Sequence, residues 1–287
     1  MLIDTHAHLD YPDFEADFAD VLQRANDAGV TRVITIGTSL ASSLRAVELA
    51  HAHANVYAVI GVHPTSDETA EDVITPLRDL AQSPRVVAIG ETGLDYHRLP
   101  SAKAEKSRAV QVFARTLQGE TEEEIEAGIE DGAYKARQAS LFEQQLDLAA
   151  ELGLNVVIHQ RDAWADTLEM MQPYTGKLRG VFHCFGGPME DAQEVLAMGH
   201  LVSFTGIVTF KNGTAVRDVA AQLPIESFMV ETDCPYLAPT PFRGKRCEPA
   251  HTRLVADTIA NARGVSPDEL ARTTTATAEA FFKFNRQ

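Results

Sequence analysis

Eight short apolar runs, rich in valine and isoleucine, recur along the chain and alternate with helical stretches. Most of these runs are nearly continuous rather than alternating, which is typical of parallel strands buried on both faces. The runs cover residues 2–5, 32–37, 56–62, 86–90, 155–158, 180–182, 201–208 and 228–230. We therefore expect eight strands that belong to one parallel sheet.

Apolar residues at helical spacing occupy the stretches between these runs. The stretches are residues 14–28, 40–53, 140–152, 163–171, 189–198 and 214–223, and residues 249–284 are expected to form closing helices. Strands that alternate with helices in this number predict an α/β fold, specifically a (β/α)₈ TIM barrel. A doubly wound open sheet is the alternative, but no G-x-G-x-x-G motif follows the first run.

The chain has 287 residues, which suits one barrel domain over residues 1–287. One segment interrupts the alternation: residues 98–139 contain no strand pattern, and residues 119–132 hold seven acidic residues and no basic one. We expect a helical acidic insertion on the barrel surface. A solvated charged face is its ordinary role, and a substrate lid is the alternative.

Histidine and acidic residues follow the apolar runs. His6 and His8 close the first run, and residues two apart in a strand project from the same face. The other residues of this kind are His63, Glu91, His159, His183 and Asp233. Because the carboxyl ends of barrel strands meet at one mouth, we expect these side chains to lie together.

Imidazoles and carboxylates in this combination suit zinc, manganese or iron, and a carboxylate-rich site also admits magnesium. Four histidines and two carboxylates exceed the needs of one metal ion with an open position, so two divalent ions that share a bridging carboxylate are expected, with Glu91 as the bridge. The structural alternative is that each histidine is only a hydrogen-bonded rim residue. His51 and His53 have the same spacing but lie on a helical pattern, and we interpret them as surface residues.

A net charge of −16 argues against broad nonspecific binding of nucleic acid, although metal ions could supply positive charge at a small site. Arg243, Lys245 and Arg246 form the tight basic cluster near a predicted strand end, where arginine can grip phosphate; a solvated loop is the alternative.

Three cysteines without a C-x-x-C pair indicate reduced thiols, and residues 1–15 resemble no secretory signal. No apolar run approaches the length of a membrane span. We therefore expect a cytoplasmic protein.

Taken in order, the strand-end motifs resemble those of the TatD family of metal-dependent deoxyribonucleases, which are amidohydrolase-like barrels. The motifs are Asp4-Thr5-His6-Ala7-His8-Leu9-Asp10, Gly61-Val62-His63-Pro64, Gly90-Glu91-Thr92-Gly93-Leu94-Asp95-Tyr96, His159-Gln160-Arg161-Asp162-Ala163, His183-Cys184-Phe185-Gly186-Gly187, Glu231-Thr232-Asp233-Cys234-Pro235-Tyr236-Leu237 and Arg243-Gly244-Lys245-Arg246. The resemblance runs from residue 1 to about residue 285.

The resemblance implies a two-metal hydrolase of DNA phosphodiester bonds, an exonuclease that uses metal-activated water on single strands or strand ends. His6, His8, Glu91 and Asp233 would hold one ion, and Glu91, His159 and His183 the second. His63 would touch the substrate phosphate or orient a ligand, and Asp233 would accept a proton from the attacking water. Arg243, Lys245 and Arg246 would bind phosphate.

The chain departs from the family pattern in its longer connection after Tyr96 and in Cys247, where the family often has asparagine. Two other functions stay open at the level of sequence. The same metal chemistry could hydrolyse an amide, ester or aminoacyl linkage, because fold does not fix substrate. A noncatalytic binding protein on a retained barrel is the second alternative.

Overall fold

Eight parallel strands, paired in chain order, form a single sheet in this computed structural model, which describes residues 1–68, 72–97, 99–100 and 131–284. The strands are β1 Leu2–Ala7, β2 Val30–Ile36, β3 Val56–Ile60, β4 Val86–Asp95, β5 Asn155–Arg161, β6 Gly180–Phe182, β7 Leu201–Phe204 and β8 Phe228–Val230. Each of the eight predicted runs therefore contains a strand, as expected for near-continuous Val- and Ile-rich segments that are buried on both faces. The run predicted over 201–208 was too long, because β7 ends at Phe204 and Gly206–Thr209 form a 3-10 helix.

The sheet closes into a nearly complete barrel through the residues that follow β8. Ala7 pairs with Cys234 in an isolated parallel bridge. The backbone N–H of Asp233 donates to the carbonyl of His6 at 2.9 Å, and that of His8 donates to the carbonyl of Cys234 at 2.8 Å. These contacts between the end of β1 and the residues after β8 exclude the alternative of a doubly wound open sheet. They also place Asp233 beside the end of β1.

Helices connect the strands and cover the outside of the barrel. Those of the described residues are α1 Phe18–Asp27, α2 Leu40–Ala52, α3 Ile74–Leu80, α4 Asp131–Leu152, α5 Trp164–Met171, α6 Met189–Ala197, α7 Thr214–Gln222, α8 Thr252–Arg263 and α9 Pro267–Phe282. The short α3 escaped the sequence prediction because seven residues give too few turns for a periodic pattern.

The start predicted for α4, at residue 140, was wrong, because the helix already includes residue 131. Of the predicted insertion over 98–139, residues 98 and 101–130 lie outside the described residues. Its last part, residues 131–139, forms the first turns of α4.

Apolar side chains fill the lower part of the barrel. One buried cluster takes residues from every strand, such as Ile3, Val59 and Val157, and packs them against Phe281 and Phe282 at the end of α9. The predicted closing helices thus seal the amino-terminal end of the barrel. The polar side chains of the site lie at the opposite, carboxyl-terminal end of the strands.

No helix of the described residues combines the length and the apolar character that crossing a membrane requires.

Candidate metal centre

Glu91 lies inside the barrel mouth at an irregularity of β4. The pairing of β4 with β5 shifts register between Ile89 and Thr92, and β4 then continues to Asp95. The prediction that this strand ends at Gly90 was therefore wrong. A bulge redirects side chains where a regular strand would not, and here it turns Glu91 into the mouth.

The two carboxylate oxygens of Glu91 face different sets of histidines. Oε2 lies 3.5 Å from Nε2 of His6 and 3.9 Å from Nε2 of His8. Oε1 lies 2.9 Å from Nδ1 of His159, 2.8 Å from Nε2 of His183 and 3.5 Å from Nε2 of His63. The Glu91 side chain is only 4% exposed, so these imidazoles are its surroundings.

Asp233 completes the first set. Its Oδ1 lies 3.4 Å from Nε2 of His8 and 3.7 Å from Nε2 of His6. The backbone of Asp233 has a φ of 64°, a left-handed conformation that a non-glycine residue adopts at a cost of about 1 kcal/mol or more. Its hydrogen bond to the carbonyl of His6 holds it there.

Hydrogen bonds assign the free nitrogen of two histidines. Nδ1 of His8 lies 3.3 Å from the carbonyl oxygen of Ile36 and donates to it, which in the neutral ring leaves Nε2 of His8 unprotonated. Nε2 of His159 donates to Oδ2 of Asp95 at 3.0 Å, which in the neutral ring leaves Nδ1 of His159 unprotonated. Both free nitrogens point at the carboxylates of Glu91 or Asp233.

This donor set fits a metal ion. Unprotonated nitrogens and carboxylate oxygens this close together repel each other unless a proton or a metal cation lies between them. The buried Nδ1 and Nε2 of His6 have no hydrogen-bond partner among the described residues. Three groups, each with ligand atoms within 4.8 Å of one another, could hold an ion: His6, Glu91 and His183; His6, His8 and Asp233; and His63, Glu91 and His159.

The charges of the cluster are strongly coupled. Burial favours protonated Glu91, but His183, His63 and the imidazole hydrogen bonds outweigh burial and hold the pKa of Glu91 well below its usual value. Burial also opposes a charged His183, yet Glu91 and Glu231 raise the pKa of His183 well above its usual value. The site therefore stabilises positive charge beside Glu91.

His63 differs from the other histidines around Glu91 because its Nδ1 accepts a hydrogen bond from a backbone N–H group. The backbone N–H of Thr65 donates to Nδ1 of His63 at 3.1 Å, so the proton of the neutral ring lies on Nε2. Burial lowers the pKa of His63 to about 4. The Nε2–H group faces the interior of the mouth, where it is a hydrogen-bond donor.

Sequence reasoning missed the carboxylates that orient the histidines. Asp95 binds His159, as described above. Oε1 of Glu231 accepts a hydrogen bond from the backbone N–H of Cys184 at 2.7 Å and lies 3.6 Å from Nδ1 of His183. Both carboxylates belong to strand-end motifs that contain predicted ligands. That position in the sequence could have indicated their role.

A cavity of about 790 Å³ opens over these groups. The residues that line it are His8, Tyr11, Thr38, Ser39, His63, Thr65, Ser66, Asp67, Glu91, Asp95, Tyr134, His159, Arg161, His183, Asp233 and Tyr236. The exposed Arg161 supplies positive charge at the wall, and its guanidinium forms no ion pair with a described carboxylate.

The basic cluster predicted to bind phosphate lies outside the lining of this cavity. Arg246 forms ion pairs at 2.7 Å with Asp17 and with Glu248. The guanidinium of Arg243 lies 3.8 Å from the centre of the Phe210 ring. A role of Arg243, Lys245 and Arg246 in phosphate binding stays a prediction. The ion pairs of Arg246 with Asp17 and Glu248 also give this residue a structural role.

Comparisons with known proteins agree with a metal centre at this site. The family model described as TatD related DNase matches residues 3–124 and 125–283. The uncharacterized metal-dependent hydrolase YabD of Bacillus subtilis is 35% identical over 288 residues, which cover 99% of this chain and 100% of YabD. The 3′-5′ ssDNA/RNA exonuclease TatD of Citrobacter koseri is 34% identical over 288 residues, which cover 98% of each chain.

Among solved structures, YJJV, a TatD homolog from Escherichia coli, superposes with a TM-score of 0.82. It shares 28% sequence identity with this chain, and the match covers 98% of both chains.

Proposed function

This chain belongs to the family of TatD-related DNases, and we propose that it is a two-metal exonuclease that removes nucleotides from the ends of single-stranded DNA. Membership makes it a metal-dependent hydrolase of a nuclease family. The number of ions, the residues that hold them and the form of the substrate are parts of the proposal.

The division of Glu91 between two histidine sets carries the proposal. A carboxylate whose Oε2 faces His6 and His8 and whose Oε1 faces His159 and His183 suits a bridge between two ions. Asp233 adds a ligand on the side of His6 and His8. Ions held there would lower the pKa of bound water and offset charge on phosphate oxygens, with magnesium, manganese and zinc as candidates.

Three residues of the chain would act on the substrate directly. The carboxylate of Asp233 is 15% exposed towards the cavity, where it can accept the proton of the attacking water. His63 would donate its Nε2–H to a nonbridging phosphate oxygen, because its Nδ1 is occupied by Thr65. Arg161 would pair with a phosphate at the wall of the cavity.

The size of the cavity favours the end of a single strand as the substrate. Its volume of about 790 Å³ lies within the range of small-molecule sites, which suits one or a few nucleotides rather than a duplex. The relative from Citrobacter koseri is named a 3′-5′ ssDNA/RNA exonuclease, and we propose the same direction for this chain.

The test is incubation of the protein with a 5′-labelled single-stranded oligonucleotide and magnesium, manganese or zinc in turn. We expect a ladder that shortens from the 3′ end, no ladder with excess chelator, and slower shortening of a duplex. Asp233→Asn should retain the melting temperature but slow cleavage by about 100-fold or more. Failure to cleave with any of the three metals would overturn the nuclease proposal and favour hydrolysis of another bond.

We also propose that the protein acts in the cytoplasm, and its three free cysteines support this location. Fractionation of cells into cytoplasmic and exported proteins tests it; recovery of the protein in the exported fraction would contradict it.

A further inference from the structure

Two tyrosine rings form part of the cavity rim on the side of His8 and Asp233. Tyr11 and Tyr236 both line the cavity. Their ring centroids lie 6.1 Å apart with an interplanar angle of 83°, and the Tyr11 ring stacks on His8 at 5.0 Å. Tyr236 is 54% exposed, the largest exposed fraction among the exposed aromatic residues of the described chain.

The backbone ties each ring to a proposed metal ligand. The N–H of Tyr11 donates to the carbonyl of His8 at 3.3 Å, and the N–H of Tyr236 donates to the carbonyl of Asp233 at 2.9 Å. Each tyrosine thus stands three residues after a proposed ligand, at the end of a turn that begins with that ligand. The positions of both rings are therefore fixed relative to the candidate centre.

Two aromatic residues that follow strand ends, Trp164 and Tyr96, have structural partners and do not line the cavity. The ring of Trp164 packs 5.7 Å from Phe182, and its Nε1–H donates to Glu194. The hydroxyl of Tyr96 donates to Asp166 at 2.8 Å. By contrast, no described residue accepts or donates a hydrogen bond at the hydroxyl of Tyr236. Its ring is left open to the cavity.

We propose that Tyr236, with Tyr11 behind it, is the stacking surface for the base of the terminal nucleotide. The inference rests on the proposed nuclease function. An aromatic face binds any base, which suits an enzyme that must pass along a strand of mixed sequence. Arg161 ends β5, four strands across the barrel from β1, so base and phosphate contacts would come from opposite walls.

The experiment compares two substrates with three proteins. The substrates are a single-stranded oligonucleotide and the same oligonucleotide with an abasic 3′-terminal nucleotide. The proteins are the wild type, Tyr236→Leu, which removes the ring, and Tyr236→Phe, which retains it. Cleavage gives KM and kcat, and fluorescence anisotropy of the metal-loaded protein with phosphorothioate-linked forms of the two substrates, which resist cleavage, gives binding without turnover.

Tyr236→Leu should raise KM and the dissociation constant of the normal oligonucleotide about tenfold, the scale of one lost stacking contact, and change kcat little. Tyr236→Phe should restore both values. On the abasic substrate, the wild type and Tyr236→Leu should agree within about twofold, because no base remains to stack.

Two failures are distinguishable. If the wild type cleaves the oligonucleotide but Tyr236→Leu raises KM equally for both substrates or for neither, only the stacking inference is overturned. If the wild type neither cleaves nor binds either substrate, the proposed function is overturned and the inference with it.

Circular dichroism and the melting temperature of each variant separate lost stacking from lost folding. Tyr11→Leu, measured in the same way, should show a smaller increase in KM.

Discussion

At the scale of single residues, the centre depends on which nitrogen of each histidine is free. The sequence could indicate the residue types, because His6, His8, His159 and His183 all follow apolar runs. It could not indicate the tautomers, since these depend on partners from other strands, such as Ile36 for His8 and Asp95 for His159. Arg246 shows the same limit, because its carboxylate partner Asp17 is 229 residues away.

The two sides of Glu91 predict a matched pair of metal-binding defects. His8→Ala should weaken the ion beside Asp233, and His159→Ala the ion beside His183, each by more than the roughly 10–100-fold typical of losing an outer partner. Each variant should retain about one of two ions after dialysis, counted by elemental analysis.

The double variant His8→Ala/His159→Ala should retain neither ion, and Glu91→Gln should weaken both. Equal loss of both ions in each single variant would argue against two separate sets.

At the scale of elements, the strands were predictable because runs of valine and isoleucine are local information. The continuation of β4 past Glu91 was not, because it depends on close packing against β5. Gly93 has a φ of +142°, and a Cβ placed there would lie 2.0 Å from the carbonyl oxygen of His159. Glycine is therefore required where the strand carries Glu91 and Asp95 into the mouth.

Gly93→Ala should lower the free energy of unfolding by about 3 kcal/mol or more, because β5 must move or β4 must change conformation. Gly153→Ala is the matched control: Gly153 also has a positive φ, +63°, but no atom lies within 4 Å of its added Cβ. That control should cost only about 1–2 kcal/mol. Urea denaturation measures both, and equal losses would show that packing against His159 contributes nothing.

His200 joins the starts of β6 and β7, because its Nδ1 accepts the backbone N–H of Gly180 at 3.1 Å. Burial and the nearby Arg179 lower the pKa of His200 from 6.5 to about 4. The unfolded chain therefore binds this proton first as the pH falls. The contribution of neutral His200 to the free energy of unfolding is complete above pH 6.5 and is lost as the pH falls towards 4.

His200→Asn keeps an acceptor near Gly180 but does not titrate at these pH values. Between pH 7 and pH 4, the wild type should lose up to about 3 kcal/mol more of its unfolding free energy than the variant. Denaturant titrations at several pH values measure the difference. If the free energy of unfolding changed with pH in the same way in both proteins, the conclusion that His200 is buried in its neutral form would be wrong.

At the scale of the whole molecule, the proposed function requires an acidic barrel to bind an acidic polymer. The net charge of −16 argues against a broad basic surface for nucleic acid. In the proposed function, a few contacts in the cavity hold the substrate: the proposed ions, Arg161 and stacking on Tyr236. Affinity should then depend only weakly on monovalent salt.

We expect the slope of log KM against log salt concentration to stay below about 2, since each phosphate contact of a single strand contributes about 0.7. Arg161→Gln should reduce the slope by about 0.7. Initial rates at constant divalent metal and varied potassium chloride give both slopes. A slope of about 5 or more would indicate an extended basic interface instead.

Anomalous diffraction from a crystal of the protein loaded with manganese tests the two-metal centre most directly. Two peaks about 3.5–4 Å apart are expected on either side of the Glu91 carboxylate, one beside His6, His8 and Asp233 and the other beside His159 and His183. A single peak, or peaks away from these residues, would contradict the two-metal centre.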